Sequence, residues 1–323
     1  MTDEAIAKAF EDILQRFDCS ERLRTDPPLL AHYTSVQVLE SILKNNEAWF
    51  SNPLFMNDFE ELRFGLEEGE ELFFVSPDVD KAAQTPERAA LLRQHFAYYL
   101  GQMQRDGALD VYVFCVSEHP ESDFDGALSM WRGYAANGSG VAVVFDPRRL
   151  PLQEGGDVLM FAKVEYGTRE ERIAELKGIL ADWCSMLAAA NVPDDKLHIP
   201  AFSLYYAMIV FALTRKHSGF HEEAEWRLMW VRQPHLKSNF EKLLGYHLGP
   251  RGPEPKLKYR PIPELGSTID NIDELIDRII LGPMSSSPLV EKTIKRMLEL
   301  LGKAHLAERV YASTIPFRTM PGI

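Results

Sequence analysis

The chain has 323 residues, of which 46% are hydrophobic and 26% charged, the proportions of an ordinary globular core. Its 48 acidic and 35 basic residues leave a net charge of −13, which repels phosphate backbones at long range and argues against non-specific nucleic-acid binding. The three cysteines, Cys19, Cys115 and Cys184, lie far apart without CxxC spacing, so neither a disulfide framework nor a zinc knuckle is expected.

An acidic amphipathic segment opens the chain, with Ile6, Phe10, Ile13, Leu14 and Phe17 at a helical period. It lacks the basic start and apolar run of a signal peptide, so a cytoplasmic location is expected. Residues 1–28 read as a helical extension, broken at Arg24 to Pro28. Leu29 to Tyr33 reads as a strand ending at Thr34. Thr34 and Gln37 then form a capping box for a helix carrying Val38, Leu39, Ile42 and Leu43 and ending at Asn45-Asn46. Ala48 to Ser51 is a strand, Asn57 or Asp58 caps a helix to about Phe74, and Thr85-Pro86 opens another to about Arg105.

Asp110 to Ser117 is a strand, followed by a turn-rich loop and the short loop-like segment SMWRGY. Asn137-Gly138 signals a tight turn before a strand over Gly140 to Asp146, and Leu159 to Tyr166 is a further strand. Two helices are expected at about 169–190 and 201–216. The second, with its apolar run Phe202 to Leu213, is too short to span a bilayer and should be buried. EWRLMWV (225–231) returns to strand. Residues 234–266, rich in Pro, Gly and Lys, read as an irregular insertion holding the basic cluster Arg251 to Arg260. Ile279 to Leu281 is a short strand, Ser287-Pro288 starts a last helix ending near Gly302, and Val310 to Ile315 closes as a strand. Strands and helices do not alternate regularly, so the expectation is one α+β domain over 1–323 with a helical insertion at 169–217.

Three segments could carry chemistry. In His32-Tyr33-Thr34-Ser35 a histidine leaves a strand beside a helix N-terminus, where amides and dipole favour an anion or polar ligand. A plain cap with a packed histidine explains the same residues and is the commoner arrangement. Ser129-Met130-Trp131-Arg132-Gly133-Tyr134 offers stacking surfaces and a guanidinium fork, though clustered aromatics more often belong to a core. If extended backbone begins at Glu223, then Glu223, Glu225 and Arg227 share one face. Paired carboxylates can divide acid and base roles, and a surface ion-pair cluster is the bland alternative. His217 and His221 lack a third ligand, Gly138-Ser139-Gly140 lacks the Walker Lys, and no GxSxG occurs, so a metal site, a phosphate loop and a serine hydrolase are disfavoured.

LAHYTSVQVLESILKNNEAWFSNPLFMND, VYVFCVSE, SMWRGYAANGSGVAVVFD, FHEEAEWRLMW and IILGP, in that order over about residues 29–283, resemble the landmarks of DUF2971, an uncharacterised bacterial and phage family. That family in turn is similar to ADP-ribosyltransferases of the His-Tyr-Glu type. The resemblance implies split mixed or antiparallel sheets and an NAD-dependent ADP-ribosyltransferase or NAD glycohydrolase, in phage defence or as a toxin. His32 would then bind a ribose hydroxyl of NAD, Glu225 would be the catalytic carboxylate with Glu223 beside it, and Tyr134 or Trp131 would stack on nicotinamide. Tyr33, Thr34, Ser35, Asn57, Ser117, Ser129, Arg132 and Arg227 complete the expected dinucleotide site. NAD serves as substrate, no metal is required, and the acceptor is a protein or nucleic acid. A non-catalytic nucleotide- or protein-binding module of the same fold is the alternative, and a nuclease lacks its metal-ligand cluster.

Overall fold

A computed structural model of the chain describes every residue except 57–58, 106, 150–158, 233–237, 250–251, 263–264, 266, 268 and 318–323. It is a mixed α/β structure whose contacts cluster into two compact units. The first comprises Met1–Asp18, Asn52–Val111 and Ala162–His221, and the second Cys19–Ser51, Tyr112–Phe161 and Glu222–Ile323.

The first unit is mostly helical. Its long helices run Phe59–Val75, Pro86–Arg105, Arg169–Ala189 and His198–Thr214. The third starts as its sequence dictates: Thr168 and Glu171 form a capping box, satisfying amides that the helix leaves unpaired. The stretch Asp194–Thr214 is long and apolar enough to cross a bilayer on composition alone, but 72% of its most apolar window is buried within the protein. Helices approach it closely at Gly65, where a Cβ would lie 2.5 Å from the Ala212 Cβ. Phe73 packs on Phe96 (4.3 Å between centroids) and edge-on against Trp183 (5.8 Å), whose indole donates to the Pro200 carbonyl at 2.9 Å. The helices of 169–217, which read as an insertion, thus share one core with those of 59–105.

In chain order the strands are β1 (Leu29–Thr34), β2 (Ala48–Ser51), β3 (Val111–His119), β4 (Val141–Phe145), β5 (Met160–Lys163), β6 (Glu165–Gly167), β7 (Arg215–His217), β8 (Glu225–Val231), β9 (Leu244–Gly249), β10 (Gly252–Tyr259), β11 (Ile276–Leu281) and β12 (Val310–Ala312). Short β6 and β7 pair in parallel in the first unit. The others form a mixed sheet ordered β12-β11-β4-β1-β3-β2-β10-β9, with β8 joined to β3 and β5. β11 and β12 are parallel, whereas β1 is antiparallel to both β3 and β4. Alternation along β1 divides the cores: Leu30 packs with Phe114, Val116 and Trp226, while Leu29, Ala31 and Tyr33 pack with Trp131 and Val144. The apolar stripe of helix Val36–Asn45, with Leu39 and Leu43, covers Val141 and Val143 together with helix Pro288–Leu300.

The structure departs from the sequence reading in several places, four of which bear on the site and the sheet. The cap of helix Val36–Asn45 is Ser35, whose hydroxyl accepts from the Val38 amide, one residue later than expected. SMWRGY is helical over Leu128–Gly133. Residues 159–166 divide between β5 and β6, in different sheets. The region 234–266, expected to be irregular, contains the β9–β10 hairpin.

The turn into β4 is closed by backbone contact. A Cβ on Gly140 would collide with the Thr34 carbonyl oxygen and come within 3.0 Å of the Ala135 backbone. Neither obstacle can rotate away, so Gly140→Ala is expected to cost about 3 kcal/mol, the upper range for overpacking, in urea unfolding of the purified protein.

Candidate functional site

Tyr33 ties the first segment to the second. Its hydroxyl accepts from the Ala127 amide at 2.9 Å, and its ring meets Trp131 edge-on at 4.9 Å. Burial pushes its phenol up to about 12, so it stays protonated. Trp131 is fully buried and donates its indole N–H to the Asp125 carbonyl at 2.8 Å. Gly126, at φ +74°, fits between them: a Cβ there would lie 2.8 Å from the Tyr33 hydroxyl and 3.0 Å from the Trp131 ring. Trp131 and Tyr33 are therefore core residues and offer no open stacking face. Thr34 is buried, Ser35 serves as cap, and Ser129 is half-buried.

Met130 is buried with Trp131, while Arg132 and Tyr134 are exposed. Arg132 lies over the Phe317 ring at 5.4 Å. Tyr134, 42% exposed, donates from its hydroxyl to Glu223 Oε1 at 2.7 Å. This bond joins the second segment to the third.

The third segment is bent. A short 3-10 turn, Ser218–Glu223, ends at Ala224, which holds φ +41°, a left-handed conformation uncommon for a residue with a Cβ. Extended backbone begins at Glu225, so Glu225 and Arg227 share a face and Glu223 is delivered by the turn instead. Arg227 grips Glu225 with both arms of its fork, Nε to Oε1 at 2.9 Å and Nη2 to Oε2 at 3.0 Å, and both side chains are buried. Such charge-assisted pairs hold a carboxylate in a fixed orientation. The Glu118 amide donates to the Ala224 carbonyl at 2.8 Å, and the Trp226 indole to the Glu118 carboxylate at 3.0 Å, which anchors the bend on β3.

His32 lies elsewhere. Its Nδ1 bonds the Cys115 carbonyl at 2.9 Å, and its ring stacks on Phe114 at 4.6 Å. A carbonyl can only accept, so Nδ1 carries the proton and Nε2 remains an acceptor. His32 leaves β1 on the side of Leu30, in the cluster that holds Trp226. Glu225 and Arg227 alternate with Trp226 and leave β8 on the other side. The contacts of His32 are thus to β3, and those of Tyr134 to the glutamate turn. Ser117, paired with Ala31 across β1 and β3, is buried with an unpartnered hydroxyl. Asn57 lies outside the described residues.

Near His32, walls from Leu30, Phe50, Phe114, Phe161, Leu228 and Tyr259 enclose a cleft of about 580 Å³, open mouth included. Its almost wholly apolar lining gives a pyrophosphate no partner, which turns attention to the polar Tyr134–Glu223 side. Among the described residues no three His, Cys, Asp or Glu side chains are grouped to hold a metal ion.

Burial lowers the pKa of His32, with the Cys115 bond opposing, and burial likewise lowers that of His119. Both are then neutral in the folded protein at a pH where the unfolded chain, at about 6.5, already takes up protons. Stability should therefore rise with pH through that window and fall as pH drops below it. Unfolding free energies measured from pH 5 to pH 8 check this, and His32→Phe should flatten the slope.

The sequence reading placed a turn-rich loop before SMWRGY but gave it no role; residues 121–126 of that loop position these segments. Asp123 Oδ1 accepts from the amides of Asp125 and Gly126, and Arg278 donates to the carbonyls of Glu121 and Asp123. The Asp-Phe-Asp-Gly run was a legible turn signal. Comparison with curated proteins and with solved structures gives no match. Residues 130–228, the stretch from Trp131 and Tyr134 to Glu223, Glu225 and Arg227, match the model of DUF2971, described as a protein family of unknown function.

Proposed function

We propose that this protein binds NAD and cleaves its ribose–nicotinamide bond, as an ADP-ribosyltransferase or an NAD glycohydrolase. The supporting observation is the 2.7 Å bond from Tyr134 to Glu223, which puts an exposed aromatic ring and a carboxylate at the mouth of a strained turn. Breaking a ribose–nicotinamide bond builds positive charge on the sugar, and a fixed carboxylate lowers the barrier most at that moment. In this reading Tyr134 stacks on nicotinamide, Glu225 supplies the fixed charge, and Glu223 positions the nucleophile, a water or a group on a protein or nucleic acid. His32, on the opposite side of the sheet from Glu225, takes no part in this reading. The transferase-like split sheet belongs to the same proposal.

A second reading, a non-catalytic module for a nucleotide or a partner protein, is favoured by the Glu225–Arg227 pair, since a carboxylate gripped at both oxygens is a common structural device. Incubation with NAD and measurement of released nicotinamide separates the two. Glu223 is only half-buried, so Glu223→Gln should leave the fold intact. It should reduce transfer to an acceptor by about a hundredfold, the lower range for a positioned acid or base, and slow simple hydrolysis less. Wild type that neither binds nor cleaves NAD with any acceptor would give the lead to the binding module.

A further inference from the structure

The basic cluster Arg251 to Arg260 is absorbed by neither reading above. Part of it forms the β9–β10 hairpin at one end of the sheet. Strand β9 has β10 on one edge and no strand on the other among the described residues.

The two prolines of β10 reveal which peptide groups face outward. Pro253 lies opposite Leu248, and Pro255 opposite Tyr246. Neither proline has an N–H, so neither can complete the paired bonds of an antiparallel ladder with its opposite residue. The inward bonds of β9 therefore come from Gly245, His247 and Gly249, opposite Lys256, Glu254 and Gly252. Successive residues point their peptide groups to opposite edges. The N–H and C=O groups of Leu244, Tyr246 and Leu248 thus project from the free edge.

Proteins usually blunt such an edge with proline, charged side chains or a bulge. Here β9 reads Leu-Gly-Tyr-His-Leu-Gly, with no proline, lysine or acid, and its register with β10 is unbroken. Tyr246 is 62% exposed and Leu248 70%. Their side chains continue the sheet face of Leu257 and Phe50 beyond the core, making an apolar ledge. The opposite face carries His247, whose ring lies 5.6 Å from Trp49, and Lys258, whose ammonium sits 4.5 Å above the Trp49 ring. Residues 244–260 hold four Lys or Arg against one Glu in a chain of net charge −13.

We propose that β9 is a docking edge for a partner protein, which adds an extended segment with apolar residues on one face and acidic residues on the other. Main-chain bonds to Leu244, Tyr246 and Leu248 supply the pairing. The ledge of Tyr246 and Leu248 takes the apolar side chains, and His247 and Lys258 take the acidic ones. Self-association through the same edge is disfavoured, because it would bring two basic hairpins together in two chains that already repel.

The test uses the full-length protein and a short capped peptide of alternating valine and glutamate, with a valine–lysine peptide as control. Amide exchange is expected to slow at Leu244, Tyr246 and Leu248 on adding the acidic peptide, and to stay unchanged at Gly245, His247 and Gly249. Lys258→Glu leaves the backbone intact and is expected to weaken binding by about tenfold, as for a reversed charge at an interface rim. Tyr246→Pro removes one outward donor and none of the inward bonds, and is expected to abolish protection while the far-ultraviolet spectrum is retained. Absence of protection at the outward amides, or equal binding of the lysine peptide, overturns the proposal. So does a wild-type dimer in light scattering that Tyr246→Pro dissociates, which would assign the edge to a second copy of this chain.

Discussion

Trp131→Ala is expected to destabilise the protein by about 3–5 kcal/mol, the range for truncating a buried tryptophan. Three losses coincide at this residue. The indole is fully buried, its N–H satisfies the Asp125 carbonyl, and its edge packs on Tyr33. Deleting it removes the loop's bond at the Asp125 carbonyl and opens a cavity beside the phenol whose hydroxyl holds the Ala127 amide. Trp131→Phe keeps an aromatic body but loses the N–H and part of the ring volume, and should cost less than Trp131→Ala and at least about 1 kcal/mol, the lower bound for one unsatisfied buried acceptor. Urea unfolding followed by near-ultraviolet circular dichroism measures both. The neighbouring Arg132→Ala, which removes an exposed guanidinium over Phe317, should change stability by less than about 0.5 kcal/mol, as for most surface positions. A Trp131→Ala variant as stable as wild type would return Trp131 to the list of ligand-stacking residues.

That contrast shows where the sequence was legible. Strands and helices with a full period were readable because their signal is local: EWRLMWV is a strand over Glu225–Val231, and Thr85-Pro86 does open a helix that runs to Arg105. The hairpin of β9 and β10 was unreadable as strand because Pro253 and Pro255 argue against it. They are tolerated because the peptide groups of those positions turn away from β9. The division into two compact units was equally hidden. It depends on helices from 59–105 and 169–217 sharing one core, and no composition shift marks that in the chain. Among the site segments, a hydrogen bond joins Tyr134 of the second to Glu223 of the third. His32 bonds to β3 instead, a placement set by β1–β3 register that a single strand pattern does not contain.

The resemblance makes Glu225 the catalytic carboxylate, and its burial in an ion pair with Arg227 gives it a part in stability as well. Replacing either member of the Glu225–Arg227 pair leaves its partner's charge buried without this two-pronged contact. Glu225→Gln and Arg227→Met are each expected to cost about 3–5 kcal/mol, the range for breaking a buried ion pair from one side. The double variant Glu225→Gln with Arg227→Met removes both charges and should recover most of that loss, because the desolvation cost of the ions disappears with them. This recovery makes the catalytic question answerable, since the double variant can be assayed as a folded protein. If Glu225 stabilises the charge developing on the ribose, the folded double variant should release nicotinamide about a hundred- to thousandfold more slowly, the range for one electrostatic group acting on a transition state. If the pair is only a brace for the start of β8, the double variant should cleave NAD at the wild-type rate while each single variant loses activity in proportion to its unfolded fraction. Reading nicotinamide release beside the urea midpoint of the same four proteins therefore assigns Glu225 to the chemistry or to the frame.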